Sequence, residues 1–142
     1  MTTRENLVLT HLQTFYNVGT SVQQAIQDFI ARHSPDVQQL VNPNPNIAPT
    51  YRRPIIEIGD FFDSSCGELP KPLKLRLQQD AHQGKQTILA GGEDGACLEI
   101  TFRELRGMGI NPKVLFDGVY PKKGDYSRLF RELIYSGRYI FK

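Results

Sequence analysis

The sequence contains no tryptophan, two cysteines and three histidines among its 142 residues. Cys66 and Cys97 stand 31 positions apart, outside any CxxC pair, and the histidines at 11, 33 and 82 are scattered. This spacing lacks the paired Cys and His ligands of a zinc site, so we predict no metal and no cofactor. Two free thiols in a reducing compartment are favoured over a disulfide, which would need an oxidising one.

Long apolar runs are also missing. No segment approaches the length of a secretory signal core or a membrane span, so a cytoplasmic location without membrane contact is expected, in a cell or in a virus-infected cell. The chain is 39% hydrophobic and 23% charged, which is typical of a globular protein rather than a disordered one. Its length predicts a single domain over residues 1–142.

The N-terminal third has the periodicity of helices. Apolar residues recur at helical spacing in residues 4–18 and 20–33, and Ser34-Pro35-Asp36 is a typical start signal for a third short helix. Three prolines then interrupt residues 43–49. We therefore predict a layer of three short helices over residues 1–42, followed by a Pro- and Asn-rich loop over residues 43–54.

Residues 55–142 have a mixed pattern. Two apolar runs flank the glycine-rich segment 91–95, and the second alternates cleanly from Ala96 to Phe102, which predicts a β-hairpin over about 86–102. Segment 91–95 lacks a phosphate-loop motif and contains two acids, so it indicates a turn. Further short strands, a helix near Leu73 and Leu77, and a C-terminal helix over about 126–136 complete an α+β fold.

Two groups of residues are candidates for catalysis. Ser64, Ser65 and Cys66 offer nucleophiles in one loop, and His82 is the histidine nearest to them in sequence. The second group is an acidic cluster of Asp60, Asp63 and Glu68, which suits a divalent cation or a general base in a nuclease or hydrolase. A turn or a solvated loop is the favoured interpretation of both groups, so no catalytic residue is assigned, and a non-enzyme is favoured while an enzyme stays open as an alternative.

Charge is unevenly distributed along the chain. Residues 103–142 hold nine of the 17 Lys and Arg residues but four of the 15 acids, with seven aromatic residues interleaved. Basic residues beside exposed rings are typical of nucleic-acid binding, and equally of a basic protein-binding face. The predicted binding patch consists of Lys122, Lys123, Arg128, Arg131, Arg138, Tyr126, Tyr135 and Tyr139, and Arg52 with Arg53 forms a secondary candidate.

Charge asymmetry without an interpretable catalytic motif favours a binding function. The main prediction is a non-catalytic accessory protein, such as an assembly subunit, inhibitor or regulator, that acts through a protein partner. One alternative is a nucleic-acid-binding protein that uses residues 103–142. The other is a small metal-dependent nuclease or hydrolase.

Overall fold

A computed structural model of the chain describes residues 5–14, 16, 18–44, 46, 53–93, 96–120 and 140–141. Its centre is a six-stranded sheet in which every neighbouring pair of strands is parallel. The strands are β1 (Asn6–Thr10), β2 (Asp36–Val41), β3 (Asp60–Asp63), β4 (Thr87–Gly91), β5 (Lys113–Val119) and β6 (Ile140–Phe141). Their order is β3-β2-β1-β4-β5-β6.

Three helices among the described residues cover the two faces of the sheet: α1 (Thr20–His33), α2 (Lys71–His82) and α3 (Cys97–Gly107). Val22, Ile26 and Phe29 of α1 pack with Leu7 and Leu9 on one face. Leucines of α2 and α3 pack with Val8 and Leu89 on the other. The chain therefore folds as an α/β sandwich. Strand order reverses between β1 and β4, and a crevice opens beyond the carboxyl ends of strands at such a point.

The predicted N-terminal layer of three helices is wrong, because two of its segments are central strands. Asn6–Thr10 is β1 and is fully buried along its length, and Asp36–Val41 is β2 rather than a helix opened by Pro35. Strands of a parallel sheet are covered on both faces, so they lose the period-two alternation that identifies a strand in a sequence. Gln38 and Gln39 disguise β2 further, since both are buried polar residues. Only the middle helix, α1, is present.

The predicted hairpin over residues 86–102 is also wrong. Its first arm is β4, but its second arm is α3, which buries Leu98, Thr101, Phe102 and Leu105 along one side. Ala96 to Phe102 therefore alternated by coincidence, and the buried positions follow helical spacing. The α+β class is corrected to a parallel α/β fold.

Other predictions had mixed outcomes. The helix near Leu73 and Leu77 is confirmed as α2, whereas residues 55–58 are not a strand and β3 begins at Asp60. The predicted C-terminal helix over 126–136 lies outside the described residues. Among the described helices, none combines the length and apolarity that crossing a membrane requires. The single domain over 1–142 and its subdivision stay predictions.

Candidate active site at the carboxyl edge of the sheet

His11 follows the last residue of β1 and is fully buried. Its Nε2 lies 2.6 Å from the carbonyl oxygen of Ser64, so Nε2 carries the proton and donates it to that carbonyl. The other ring nitrogen, Nδ1, is buried and has no hydrogen-bond partner among the described residues. Burial lowers the pKa of His11, although the Ser64 bond and the charges of Glu68 and Glu93 oppose that shift. The site therefore contains a neutral imidazole with an available lone pair.

Two tyrosines enclose this imidazole. The ring of Tyr16 stacks on His11 with centroids 5.2 Å apart and planes 4° from parallel, and Tyr120 lies 6.2 Å from Tyr16. The hydroxyl of Tyr120 donates a hydrogen bond to the carbonyl oxygen of His11. Burial raises the pKa of both phenols, so both are protonated at neutral pH.

The end of β4 passes directly beneath Tyr120. A Cβ atom at Gly92 would lie 2.6 Å from the Tyr120 ring, so only glycine allows this approach. The next peptide bond, Gly92–Glu93, is cis. Gly92 therefore leads from β4 to Tyr120, and the next element among the described residues is the helix α3 rather than the second strand of a hairpin.

Cys97 is the first residue of α3 and is half-buried at the same edge. Thr101, one turn further along α3, ties the start of the helix to β1: its Oγ1 lies 3.1 Å from Thr10 Oγ1, and 3.1 Å from the Cys97 carbonyl oxygen. Thr101 has one hydroxyl proton, and the 2.6 Å contact with the Gly67 carbonyl is its shortest bond, so Thr10 donates to Thr101. This connection holds the start of α3 against the strand that ends at His11.

The electrostatic surroundings of Cys97 oppose its ionisation. Burial raises the pKa of its thiol, and the negative charges of Cys66, Glu93 and Glu68 raise it further. A hydrogen bond from the Glu93 backbone acts in the opposite direction but does not compensate. The position at a helix N-terminus favours a thiolate. Burial and like charge are the stronger effects here, so the resting sulfur is a thiol.

Glu68 is held as a carboxylate. Burial alone would raise its pKa, but hydrogen bonds from backbone amides outweigh this and the pKa lies below its usual value. The bonds from the amides of Ser65 and Cys66 are 3.0 and 2.8 Å long. The two carboxylate oxygens of Glu68 therefore hold the loop after β3 in place and contribute a negative charge to the site.

These groups together suit nucleophilic catalysis. A thiol, a neutral imidazole and two carboxylates meet where strand order reverses, which is the usual ligand-binding position of an open parallel sheet. Perturbed pKa values clustered in this way are also typical of functional sites. Within the described part of the chain, no three His, Cys, Asp or Glu side chains are grouped to hold a metal ion.

The structure brings together some of the residues considered in the sequence and separates others. Ser64, Cys66 and Glu68 belong to the site. His82 lies at the other end of the molecule, in the last turn of α2, and lines a groove there with Met108. The proposed pair of Cys66 with His82 is therefore wrong, and the histidine beside that loop is His11.

The acidic cluster does not assemble. Asp60 forms an ion pair with Arg76, with an N–O distance of 2.7 Å, and Glu68 accepts backbone amides of its own loop. These two carboxylates are engaged in separate structural contacts, so they do not form one acidic cluster as the sequence predicted.

The predicted binding patch stays a prediction. Lys122, Lys123, Arg128, Arg131, Arg138, Tyr126, Tyr135 and Tyr139 lie outside the described residues, as does Arg52. Arg53 is exposed and pairs with Glu57 at 2.5 Å. It lines a surface groove of about 680 Å³ together with Tyr16, whose ring also stacks on His11.

Sequence reasoning missed His11, Tyr16, Cys97 and Tyr120 as members of one site. His11 and Tyr120 directly follow β1 and β5, and Tyr16 and Cys97 lie a few residues beyond β1 and β4. Polar residues at the carboxyl ends of buried parallel strands are the signal that would have found them. That signal was hidden because β1 was interpreted as helix and α3 as strand.

Comparison with known proteins agrees with this architecture. No family model and no curated protein matches the sequence. An isochorismatase-like hydrolase from Alkaliphilus metalliredigens is 10% identical with a TM-score of 0.72, and the match covers 97% of this chain and 94% of that one. The chain has the isochorismatase-like α/β fold.

Two further solved structures share this fold. N-carbamoylsarcosine amidase from Thermoplasma acidophilum is 13% identical, with a TM-score of 0.69 and coverage of 98% of this chain and 96% of that one. The MAR1 ribonuclease from Caenorhabditis elegans is 20% identical, with a TM-score of 0.67 and coverage of 99% and 77%. The three are named as a hydrolase, an amidase and a ribonuclease.

These similarities overturn the main functional prediction. A non-catalytic regulatory or accessory protein, acting by binding a protein partner or nucleic acid, is not what the structural neighbours indicate. All three neighbours are enzymes, which agrees better with the hydrolase alternative than with the main prediction.

Proposed function

We propose that the protein is a hydrolase of small carboxamides in which Cys97 is the nucleophile. The observation that carries this proposal is the placement of Cys97 at the start of α3, at the same edge of the sheet, near the reversal of strand order, as the buried His11 that follows β1. A thiol is the strongest nucleophile among the side chains of this site. The amidase and the hydrolase that share the fold support the choice of an amide as the bond to be cleaved.

His11 is the proposed proton acceptor. Its Nδ1 has a lone pair and no partner among the described residues, while Nε2 is anchored on the Ser64 carbonyl, which fixes the tautomer. Because the resting thiol has a raised pKa and the imidazole a lowered one, transfer before attack is unfavourable. The proton therefore moves to His11 as the sulfur–carbon bond forms.

The reaction then proceeds through a covalent intermediate. The Cys97 sulfur attacks the amide carbonyl carbon, the carbon–nitrogen bond breaks, and His11 returns the proton to the leaving nitrogen. This step leaves a thioester on Cys97 and releases ammonia or an amine. Water then attacks the thioester with His11 as base, which releases a carboxylic acid and restores the thiol.

The surface beside the site suits a small polar substrate. The groove of about 680 Å³ lies within the usual size range of small-molecule sites and contacts the site through Tyr16. It is lined by Gln23, Arg53 and Glu57, so it offers hydrogen-bond donors and acceptors as well as charges of both signs. These contacts support a compact polar amide as the substrate.

Ammonia release from a panel of small carboxamides, including N-carbamoylsarcosine, tests the proposal. We expect turnover by the wild-type protein and a loss of at least about a hundredfold in kcat/KM for Cys97→Ser, since the hydroxyl is a far weaker nucleophile. Cys66→Ser is the matched control, because it removes a neighbouring thiol and should retain activity under reducing conditions. Undiminished turnover by Cys97→Ser would contradict the proposal.

RNA serves as the counter-substrate, since a ribonuclease shares the fold. We expect no cleavage of RNA that depends on Cys97, because an attacking thiol does not supply the chemistry of phosphodiester hydrolysis. If the wild-type protein cleaves RNA and Cys97→Ser does not, the bond cleaved in this proposal is a phosphodiester and not an amide. A cytoplasmic location is part of the same proposal and is tested by cell fractionation.

A further inference from the structure

A second thiol stands beside the proposed nucleophile. Cys66 is exposed in the loop after β3, Cys97 is half-buried at the start of α3, and neither forms a disulfide. The catalytic steps above use Cys97 alone, which leaves Cys66 without an assigned role.

The loop that carries Cys66 is packed against the first turn of α3. Gly67 has φ +91°, and a Cβ atom built on it would lie 2.1 Å from the Cys97 carbonyl oxygen. This approach is open only to glycine, both for its conformation and for the space. The residue next to Cys66 thus touches the backbone of Cys97.

Hydrogen bonds hold the loop in this position. Thr101 Oγ1 donates to the Gly67 carbonyl at 2.6 Å, and the Gly67 amide donates to Ser64 Oγ at 3.0 Å. The Glu68 carboxylate accepts the amide of Cys66 at 2.8 Å. The backbone around Cys66 is therefore ordered before any reaction occurs, so little conformational entropy is lost in bringing the two thiols together.

The two sulfurs also influence each other electrically. Among the neighbouring groups that raise the pKa of Cys97, Cys66 has the largest effect, ahead of Glu93 and Glu68. Because a Coulomb interaction weakens with distance, this ranking agrees with the close approach of their backbones.

We propose that Cys66 and Cys97 form a reversible disulfide that blocks the nucleophile, with a low-molecular-weight disulfide as the oxidant. The effect on activity rests on the proposed function, whereas formation of the bond does not. Cys66 reacts first because it is the exposed thiol. Exposure and access set the rate of thiol–disulfide exchange.

The exchange balances in two steps. The Cys66 thiolate attacks one sulfur of the small disulfide RSSR, forming Cys66–S–S–R and releasing RS⁻, which takes up a proton. The Cys97 thiolate then attacks the Cys66 sulfur and releases a second RS⁻. In total two protein thiols are oxidised to one disulfide and RSSR is reduced to two RSH.

The direct test uses oxidised glutathione on the native full-length chain, followed by quenching with iodoacetamide and mass spectrometry. We expect wild type to lose both alkylatable thiols without retaining glutathione, and to yield a linked pair of peptides containing Cys66 and Cys97. Cys66→Ser and Cys97→Ser should each retain a glutathione adduct or a free thiol, because no second sulfur is available. Separate glutathione adducts on the two cysteines of wild type would overturn the proposal.

An activity measurement separates this inference from the proposed function. Oxidised wild type should lose nearly all amide hydrolysis and regain it with dithiothreitol, whereas Cys66→Ser should be inactivated more slowly, because the half-buried Cys97 must then react with the oxidant directly. A linked peptide in a protein that hydrolyses no amide would leave the disulfide standing and remove the proposed reaction. Amide hydrolysis without any linked peptide would remove the disulfide and leave the proposed reaction standing.

Discussion

The two edges of the sheet differ in how their polar groups are paired. At the amino edge, Lys85 bridges Asp36 and Asp80, and Asn6 joins Asp80 to Gln38 through hydrogen bonds of 2.8 and 2.9 Å. Each of the two carboxylates there has a cationic partner, because Lys85 lies between them. At the carboxyl edge, Glu68 and Glu93 stand near thiols, phenols and a neutral imidazole, and burial shifts the pKa of His11, Tyr16, Cys97 and Tyr120 away from their usual values.

This contrast indicates a division of labour. At the amino edge, a network of opposite charges stabilises the starts of the strands. At the carboxyl edge, the thiols, the imidazole and the carboxylates do not neutralise one another, so they are available for reaction. Removing a polar group from the amino edge should therefore cost stability, and removing one from the carboxyl edge should cost activity or change a pKa.

The largest expected effect is at His11. His11→Gln retains an N–H that donates to the Ser64 carbonyl but has no basic nitrogen, so we expect kcat/KM for amide hydrolysis to fall by about 10²–10⁴. The measurement is ammonia release at neutral pH, with circular dichroism to confirm folding. If the folded variant keeps wild-type turnover, His11 is not the base.

At the amino edge, Lys85→Met should reduce the free energy of unfolding by about 2 kcal/mol. It removes the cation that lies between two partly buried carboxylates, which places the cost between those of surface and fully buried ion pairs. Urea denaturation measures the loss, and kcat should not change. Lys74→Met is the matched control, since Lys74 pairs with Glu104 in a more exposed position. Equal losses in both variants would contradict the importance of the Asp36–Lys85–Asp80 network.

Tyr120→Phe should have a smaller effect on stability, about 1–2 kcal/mol in urea denaturation. It removes the hydroxyl that satisfies the buried His11 carbonyl, while the ring still covers Gly92. A loss of activity greater than this destabilisation explains would show that the phenol also contacts the substrate.

The pH dependence of stability should reveal the buried imidazole. Because the pKa of His11 is lowered in the folded chain, the unfolded chain binds its proton more readily. This contribution to stability is complete above about pH 6.5 and is lost as the pH falls from there toward the lower folded-state pKa. His11→Gln should lose that part of the slope in urea denaturation between about pH 7 and 5. An unchanged slope would mean that His11 is not neutral in the fold.

The smallest expected change is at Glu93, where Glu93→Gln should lower the pKa of the Cys97 thiol. The carboxylate is one of the charges that raise that pKa, so removing it favours the thiolate. The rate of Cys97 alkylation by iodoacetamide should therefore rise at neutral pH. Glu99→Gln is the control, because Glu99 is on the same helix but is engaged with Arg103. A slower reaction in Glu93→Gln would contradict the assigned electrostatics.

The elements that sequence reasoning identified correctly are those with a local signal. Pro72 in the first turn and the spacing of Leu73 and Leu77 define α2, and the apolar run after Lys113 defines β5. By contrast, β2 contains two glutamines that become acceptable in the interior only because Asn6, Ile56 and Ile58 accept their hydrogen bonds. Those partners are distant in sequence, so no local pattern shows that Asp36–Val41 is a strand.

Part of the candidate site could be predicted from the sequence. Ser64, Cys66 and Glu68 were recognised as chemistry-bearing residues, but sequence proximity paired them with His82 instead of His11. The correct partner lies 53 positions from Ser64, and the parallel order of β3, β2 and β1 brings the two chain segments to one edge.

By itself, the sequence determined the helix over Lys71–His82, the absence of zinc-type ligand spacing and the presence of two cysteines outside a CxxC pair. It could do so because these properties depend on composition and on residues within one turn or one short motif. Only the tertiary structure decided that β1, β2 and β4 are neighbours, that Cys97 begins a helix, and that His11, Cys66 and Cys97 belong to one site. Parallel strands pair across long connections, so the energy that selects them comes from contacts that no local stretch of sequence contains.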